Sequence, residues 1–185
     1  MGFKAYPGAD GSTPRLGGEG LALVASASFT TAASASIDGC FTAIHDHYLV
    51  DFDLSAVTGT DVGLGLRLRV AGVDDSGANY DEQRTYLYTS TLTGSANTGQ
   101  TSFTANVITT AQPDESAWQL HLYRPYMARK TVFDVTARQR SNGGTQYVFT
   151  ASGIHTLTTK YDGFTIYPAS GTISGSLAVY GLQRA

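Results

Sequence analysis

From Leu21 onward, apolar and polar residues alternate with a period of two, and this pattern limits the fold more than any other feature of the sequence. The clearest stretch places Leu64, Leu66, Leu68 and Val70 between Gly65, Arg67 and Arg69. Successive side chains of a β-strand point to opposite faces of its sheet, so such alternation predicts a strand with one buried face. A helix would repeat every 3.6 residues, and that period is not sustained along the chain.

Similar stretches separated by turn residues continue to the C-terminus. The predicted strands are Leu21–Phe29, Tyr48–Leu54, Leu64–Val70, Gln83–Thr91, Thr101–Ile108, Ala117–Arg124, Thr131–Arg138, Gln146–Ala151, His155–Lys160, Phe164–Tyr167 and Ile173–Leu182. The predicted turns are 73–77, 93–97, 141–144, 162–163 and 170–171, where Gly, Asn, Asp and Ser cluster. Pro113-Asp114-Glu115 resembles a helix start, but Pro125 would break that helix, and we interpret Ala117–Arg124 as a strand.

This many strands without helical crossovers predicts an all-β fold, an antiparallel β-sandwich of jelly-roll type. Residues 162–182 predict a hairpin that closes the sandwich, with a turn at Ser170-Gly171 between its two strands. Residues 1–20 contain two prolines and six glycines and no periodic pattern. We therefore expect an extended N-terminal arm at 1–20 and a single β-sandwich domain at 21–185.

Composition excludes several functions. The net charge is −3 and charged residues make up 15% of the chain, so the sequence lacks the basic surface that nucleic-acid binding requires. The apolar stretch Leu21–Phe29 is interrupted by serines and follows a polar segment, which argues against a signal peptide or a membrane span. We expect a protein made in a cytoplasm. Cys40 is the only cysteine, and a buried thiol is the simplest expectation for it.

Three stretches of the chain carry a family resemblance. Residues 161–181 read YDGFTIYPASGTISGSLAVYG, residues 36–43 read SIDGCFTA before Tyr48-Leu49-Val50, and residues 66–72 read LRLRVAG before Ala78-Asn79-Tyr80. Ala117–Lys130, which includes Tyr123-Arg124-Pro125-Tyr126, is a weaker match. Together they resemble bacteriophage minor virion proteins, also called minor tail or minor structural proteins, over roughly residues 22–183.

The resemblance implies a non-enzymatic virion protein, a minor tail or appendage component that could adsorb to a host-surface glycan. A capsid decoration or head-fibre protein is the first alternative, and a free carbohydrate-binding module is the second. Such appendages are commonly homotrimers, so the expected partners are other copies of the chain and further virion proteins bound through residues 1–20. The resemblance brings no catalytic residues, and we expect no membrane partner.

Two groups of residues could hold a metal ion, although a simpler interpretation exists for each. On a strand, His45 and His47 would share a face and could bind Zn²⁺ or Ni²⁺, with Asp51 or His155 as a further ligand. The segment Asp74–Glu82 has enough oxygen atoms for Ca²⁺ but not the spacing of an EF-hand. We interpret these groups as solvated histidines and a polar loop, and expect no metal site and no cofactor.

The sequence gives less support for a catalytic site than for a metal site. No Gly-x-Ser-x-Gly motif is present. Asp51 with Asp53, or Asp81 with Glu82, could form the carboxylate pair of a glycosidase. Asp51 and Asp53 are better interpreted as residues on the solvent-exposed face of a strand. We therefore predict no catalytic residues.

The eleven tyrosines leave glycan binding open. Tyr86 and Tyr88 would share one strand face, and so would His121 and Tyr123. An exposed aromatic ring can cover the C–H side of a sugar, but a tyrosine buried in a sandwich core has the same sequence pattern.

Overall fold

The computed structural model describes residues 20–58, 62–108, 117–140 and 145–182. Within these ranges the regular structure consists of strands. They are β1 (Leu21–Ala32), β2 (Ala35–Ile37), β3 (His47–Val57), β4 (Val62–Val70), β5 (Val73–Asp74), β6 (Tyr80–Tyr88), β7 (Thr91–Gln100), β8 (Phe103–Ile108), β9 (Ala117–Tyr123), β10 (Val132–Arg140), β11 (Gln146–His155), β12 (Gly163–Pro168) and β13 (Ile173–Leu182). The predicted arm lies almost wholly outside the described residues, as does the predicted turn at 141–144.

The strands form two antiparallel sheets that pack as a sandwich, which confirms the predicted fold class. The larger sheet has eight strands in the order β1-β13-β3-β9-β10-β11-β6-β7. The smaller has the order β2-β12-β4-β5, and β8 also pairs with β4. Four pairs of strands that are consecutive in the chain are divided between the two sheets: β1 and β2, β3 and β4, β8 and β9, and β12 and β13. Their order is the same in both sheets, because β1-β13-β3-β9 in the large sheet matches β2-β12-β4-β8 in the small one. This wrapping is typical of a jelly roll.

The inner faces of the two sheets make one hydrophobic core. Alternate residues of β3, β4, β9 and β10 point inward, as the period of two predicts. Trp118 and Phe133 of the large sheet, and Leu66 and Phe164 of the small sheet, are 2% exposed or less. Cys40 is also buried, as expected, and burial raises the pKa of its thiol to about 12.

The prediction that residues 162–182 form a hairpin is wrong, because the two strands of this segment belong to different sheets. β12 pairs with β2 and β4, whereas β13 pairs with β1 and β3. The turn predicted at Ser170-Gly171 exists, but it carries the chain from one sheet to the other. Gly171 has a φ of 75°, and a Cβ atom there would lie 1.8 Å from the carbonyl oxygen of Thr58. The backbone N–H of Thr58 donates to Thr172 at 2.9 Å, so this corner is fixed to the end of β3.

Several strand ends differ by a few residues from the predicted ones, and three larger differences stand beside them. The predicted turn at 93–97 lies inside the edge strand β7, which pairs with β6 from Thr91 to Gln100. The predicted strand His155–Lys160 is irregular after His155, because its backbone follows other loops: the N–H of Thr156 donates to Asn79 and that of Tyr161 to Pro125, both at 2.8 Å. The short strands β2 and β5 were not predicted, since two or three residues carry too little periodicity.

A polar network is buried where these loops meet. The hydroxyl of Tyr161 donates to Asp75 Oδ2 at 2.6 Å, and His155 Nε2 lies 3.1 Å from the same oxygen. The hydroxyl of Tyr80 donates to the Asp75 carbonyl oxygen at 2.7 Å and accepts the N–H of Leu68 at 3.1 Å. His155 is fully buried, so this network satisfies polar groups that would otherwise be costly inside the core.

The core predicts a contrast between two leucines. Leu66 is fully buried and Leu92 is 71% exposed. We expect Leu66→Ala to lower the free energy of unfolding by about 2–5 kcal/mol, because it removes buried methyl groups and leaves a cavity. Leu92→Ala should change it by about 0.5 kcal/mol or less. Urea unfolding of both variants measures the difference, and equal effects would contradict the described packing.

The buried network predicts acid sensitivity. Burial lowers the pKa of His155 despite the attraction of Asp75, so the unfolded chain takes up a proton more readily than the folded one. Stability should therefore fall as the pH drops below about 6.5, by at most about 1.4 kcal/mol per pH unit for this group. Urea unfolding at pH 7.5, 6.0 and 5.0 measures the slope, which His155→Gln should reduce. A free energy of unfolding that rises between pH 7.5 and 5.0 would refute this role of His155.

Candidate functional site

A cluster of aromatic and charged side chains lies on the outer face of the large sheet, where β3, β9 and β10 are neighbours. The antiparallel register places His47 of β3 opposite Tyr123 of β9. It also places His121 of β9 opposite Asp134 of β10. Since alternate residues share a face, these four side chains project to the same side, away from the core. Residues far apart in the chain thus meet on one rigid surface.

The rings of the cluster touch one another. The imidazole of His47 stacks on the ring of Tyr123, with centroids 4.3 Å apart and planes inclined by 21°. Nε2 of His47 lies 2.9 Å from Nδ1 of His121. Because a hydrogen bond needs one donor and one acceptor, only one of these two nitrogens carries the shared hydrogen.

Partial burial favours the neutral form of His47. Partial burial lowers the pKa of His47, and the neighbouring His121 lowers it further, against the opposing effect of Asp134. Asp134 accepts a hydrogen bond from the hydroxyl of Ser152 at 2.6 Å and another from Tyr123. Burial and the carboxylate of Asp134 raise the pKa of Tyr123. At neutral pH the cluster therefore presents a neutral His47 imidazole, a protonated phenol and a carboxylate fixed by two donors.

The cluster borders an open groove of about 650 Å³. We call it the histidine groove; its walls are Asp46, His47, Tyr123, Arg124, Val132, Asp134 and Leu182. A second depression on the large sheet, of about 520 Å³, is formed by β6, β7 and β11 and has no aromatic residue among those that line it. The histidine groove is thus the depression that combines ring faces with charged groups.

Arg124 is held at the end of the groove in a left-handed conformation, with a φ of 62°. Its N–H donates to the carbonyl oxygen of Asp46 at 2.5 Å, and Pro125 follows it. Non-glycine residues rarely adopt a positive φ, and such strain is concentrated at functional sites. The sequence analysis did not identify Arg124 and Asp134 as site residues. No local signal was available for the left-handed Arg124, since a following proline favours an extended backbone with negative φ.

The structure does not place His45 and His47 on one strand face, as the zinc site that we considered would require, and His45 is 8% exposed, so the expected solvated histidine is wrong for this residue. β3 begins at His47, and His45 lies in the preceding turn, where its ring packs edge-on against the buried Tyr48. Its Nδ1 lies 3.1 Å from the carbonyl oxygen of Leu182. His47 lies on the opposite, solvent side and has His121 as its partner. The suggested further ligand His155 belongs to the buried network.

The carboxylates of the acidic segment Asp74–Glu82 do not face a common point where a calcium ion could bind. Asp74 pairs with Arg69, and Asp75 binds Tyr161. Asp81 accepts the N–H of Gly99, whereas the buried Glu82 accepts the N–H of Thr104, and both distances are 2.8 Å. Among the described residues, no group of three or more His, Cys, Asp or Glu side chains is arranged to hold a metal ion.

The other candidate residues occupy separate places. Asp51 and Asp53 are exposed on the outer face of β3, as predicted. Asp81 and Glu82 are consecutive in β6 and point to opposite faces. Tyr86 packs against the core. Tyr88 is 40% exposed and stacks on Tyr147, with centroids 4.4 Å apart, so this pair is a second exposed aromatic surface.

Comparison with known proteins gives no family assignment: no family model and no curated protein matches this chain. In the part of the chain that the structure describes, no helix is long and apolar enough to cross a membrane.

Proposed function

We propose that the chain is a structural protein of the bacteriophage virion, a minor tail or appendage component that adsorbs to a host-surface glycan through the histidine groove. The virion assignment follows from the resemblance of residues 22–183 to minor virion proteins. The jelly-roll-like sandwich agrees with the fold which that resemblance implies. The adsorption role follows from the groove.

The observation that carries the adsorption role is the stacked pair of His47 and Tyr123 beside Asp134 and Arg124. Aromatic faces cover the apolar side of a sugar ring, while carboxylate and guanidinium groups bond its hydroxyls. The main-chain pairing of β3, β9 and β10 holds His47, Tyr123 and Asp134 in place. A preformed surface of this kind loses little conformational entropy when it binds.

The edges of the large sheet support a role in assembly. β1 (LALVASASFTTA) and β7 (TLTGSANTGQ) are its edge strands, and neither contains a charged residue or a proline. Charges and prolines are the usual means by which an edge strand is kept from pairing with another chain. Contact with other copies in a homotrimer, and attachment of residues 1–20 to the particle, fit such edges.

The same edges favour a second candidate function, capsid decoration. A decoration protein needs lateral contacts but no glycan site. The two functions therefore differ in whether the histidine groove binds a ligand, and binding by the isolated protein separates them.

The proposal predicts that Tyr123→Ala weakens glycan binding about tenfold or more, since loss of one stacking ring at 1.4 kcal/mol corresponds to a factor of ten. The measurement uses bacterial glycan arrays and cell-wall fractions from a panel of bacterial species. Tyr180→Ala is the matched control, because Tyr180 lies on the same outer face but not in the wall of the groove.

Two outcomes would refute the adsorption role. Equal weakening by the two tyrosine variants would place the ligand elsewhere on the face. No binding by the wild-type protein, together with its attachment to phage heads, would support decoration. Binding that is confined to free polysaccharide, with no attachment to virions, would instead indicate a carbohydrate-binding module.

A further inference from the structure

We propose that His47 and His121 together bind a first-row divalent transition-metal ion such as Zn²⁺ on the outer face of the large sheet. This site is distinct from the pairing of His45 and His47 that the sequence suggested. It does not depend on the proposed adsorption role, because the titration measures metal binding by the isolated protein in the absence of any glycan.

The first argument is the distance between the two ring nitrogens. Nε2 of His47 and Nδ1 of His121 are 2.9 Å apart. Two zinc–nitrogen bonds of about 2.0–2.1 Å, at angles between octahedral and tetrahedral, separate their nitrogens by about 2.8–3.4 Å. The observed spacing falls within this range, so a shared metal ion requires the two imidazoles to turn toward it and not a change in the separation of their nitrogens.

The second argument is the state of the two nitrogens. The hydrogen between them belongs to one ring, and it is displaced when a metal ion binds to one side of the line that joins the two nitrogens. That hydrogen then resides on the other nitrogen of the same imidazole, so both rings stay neutral and each offers a lone pair. No oxidant, reductant or further protein group is required.

The third argument is the charge and the chemistry around the pair. Asp134 lies opposite His121 in the register, and Asp46 also lines the groove, where Arg124 is the opposing positive charge. Two carboxylates against one guanidinium leave the groove net negative when the histidines are neutral, which favours a cation. Imidazole ligands select zinc, nickel and copper over magnesium and calcium.

The site is an open one. With two protein ligands, water occupies the remaining coordination positions, and these face the groove. Catalytic zinc ions likewise keep a position open for an exchangeable ligand, whereas structural zinc ions are closed by four protein ligands. We therefore expect reversible binding that contributes to the surface and is not required for folding.

The two other described histidines provide the contrast. His45 is 8% exposed and turned to the carbonyl oxygen of Leu182, and His155 is buried against Asp75 and Tyr161. Neither lies beside a second imidazole. His45→Gln is therefore the matched control for His47→Gln and His121→Gln, since all three changes remove one imidazole from the same region of the sheet.

The experiment is a calorimetric titration of the full chain with ZnCl₂, without an affinity tag, repeated with MgCl₂. We expect one Zn²⁺ per chain and no heat from Mg²⁺. His47→Gln and His121→Gln should each weaken Zn²⁺ binding about tenfold or more, because even loss of a group that only supports a metal ligand costs 10–100-fold. His45→Gln should bind as the wild type does. Thermal melts without metal check that all variants fold, and His47→Ala and His121→Ala provide a second pair.

The proposal is overturned if the wild-type chain takes up no Zn²⁺, or if both pair variants retain wild-type affinity. It is also overturned if His45→Gln weakens binding as much as they do. If His47→Gln loses Zn²⁺ binding but keeps glycan binding, the metal site stands and His47 has no part in adsorption. If His47→Gln loses glycan binding but keeps Zn²⁺ binding, the metal site fails and the adsorption role stands.

Discussion

The aromatic and aliphatic side chains on the inner face of the large sheet leave water by packing against the small sheet, and the rest of the structure depends on this contact. Leu66, Phe164, Trp118 and Phe133 meet there from both sheets. Apolar area removed from water is the main favourable term in folding. Because strand side chains alternate, committing one face to the core leaves the other face to solvent, and a shift of one residue would exchange the two.

This constraint also determines where a site can lie. The inner face is filled by the core where the two sheets meet, and the histidine cluster lies on the outer face. Tyr88 and Tyr147 lie on the same face as the buried Phe149, and Tyr88 is 40% exposed. On the outer face, the antiparallel pairing of β3, β9 and β10 brings His47, His121, Tyr123 and Asp134 together. The jelly-roll wrapping matters as well, because β3 and β9 become neighbours only when the chain has crossed between the sheets several times. The groove is a consequence of topology as much as of residue type.

The sequence predicted well what depends on local periodicity. The fold class, the core faces of β3, β4 and β9, and the exposure of Asp51 follow directly from alternation. It failed where the answer depends on a partner strand. The turn at Ser170-Gly171 was recognised, but a turn residue does not specify whether the next strand joins the same sheet or the opposite one.

The sequence also could not show which strands pair, and this affected the predictions for β7 and for the candidate site. Gly94 and its polar neighbours resemble a turn, and pairing with β6 holds them in an extended strand despite that preference. For the site, His47 and the pair of His121 and Tyr123 were each recognised, but as separate features. More than seventy residues separate the two histidines, and only the register of β3 with β9 brings them into contact. The left-handed Arg124 and the partners of Asp134 likewise follow from the three-dimensional structure.

The central claim is that the histidine groove is the ligand-binding surface of this chain. The most direct measurement is the perturbation of backbone amide NMR signals when a host cell-wall glycan fragment is added to the isotopically labelled protein. We expect perturbations concentrated at His47, His121, Tyr123, Arg124 and Asp134. Perturbations concentrated instead at Tyr88 and Tyr147, at the other exposed aromatic surface, would contradict it.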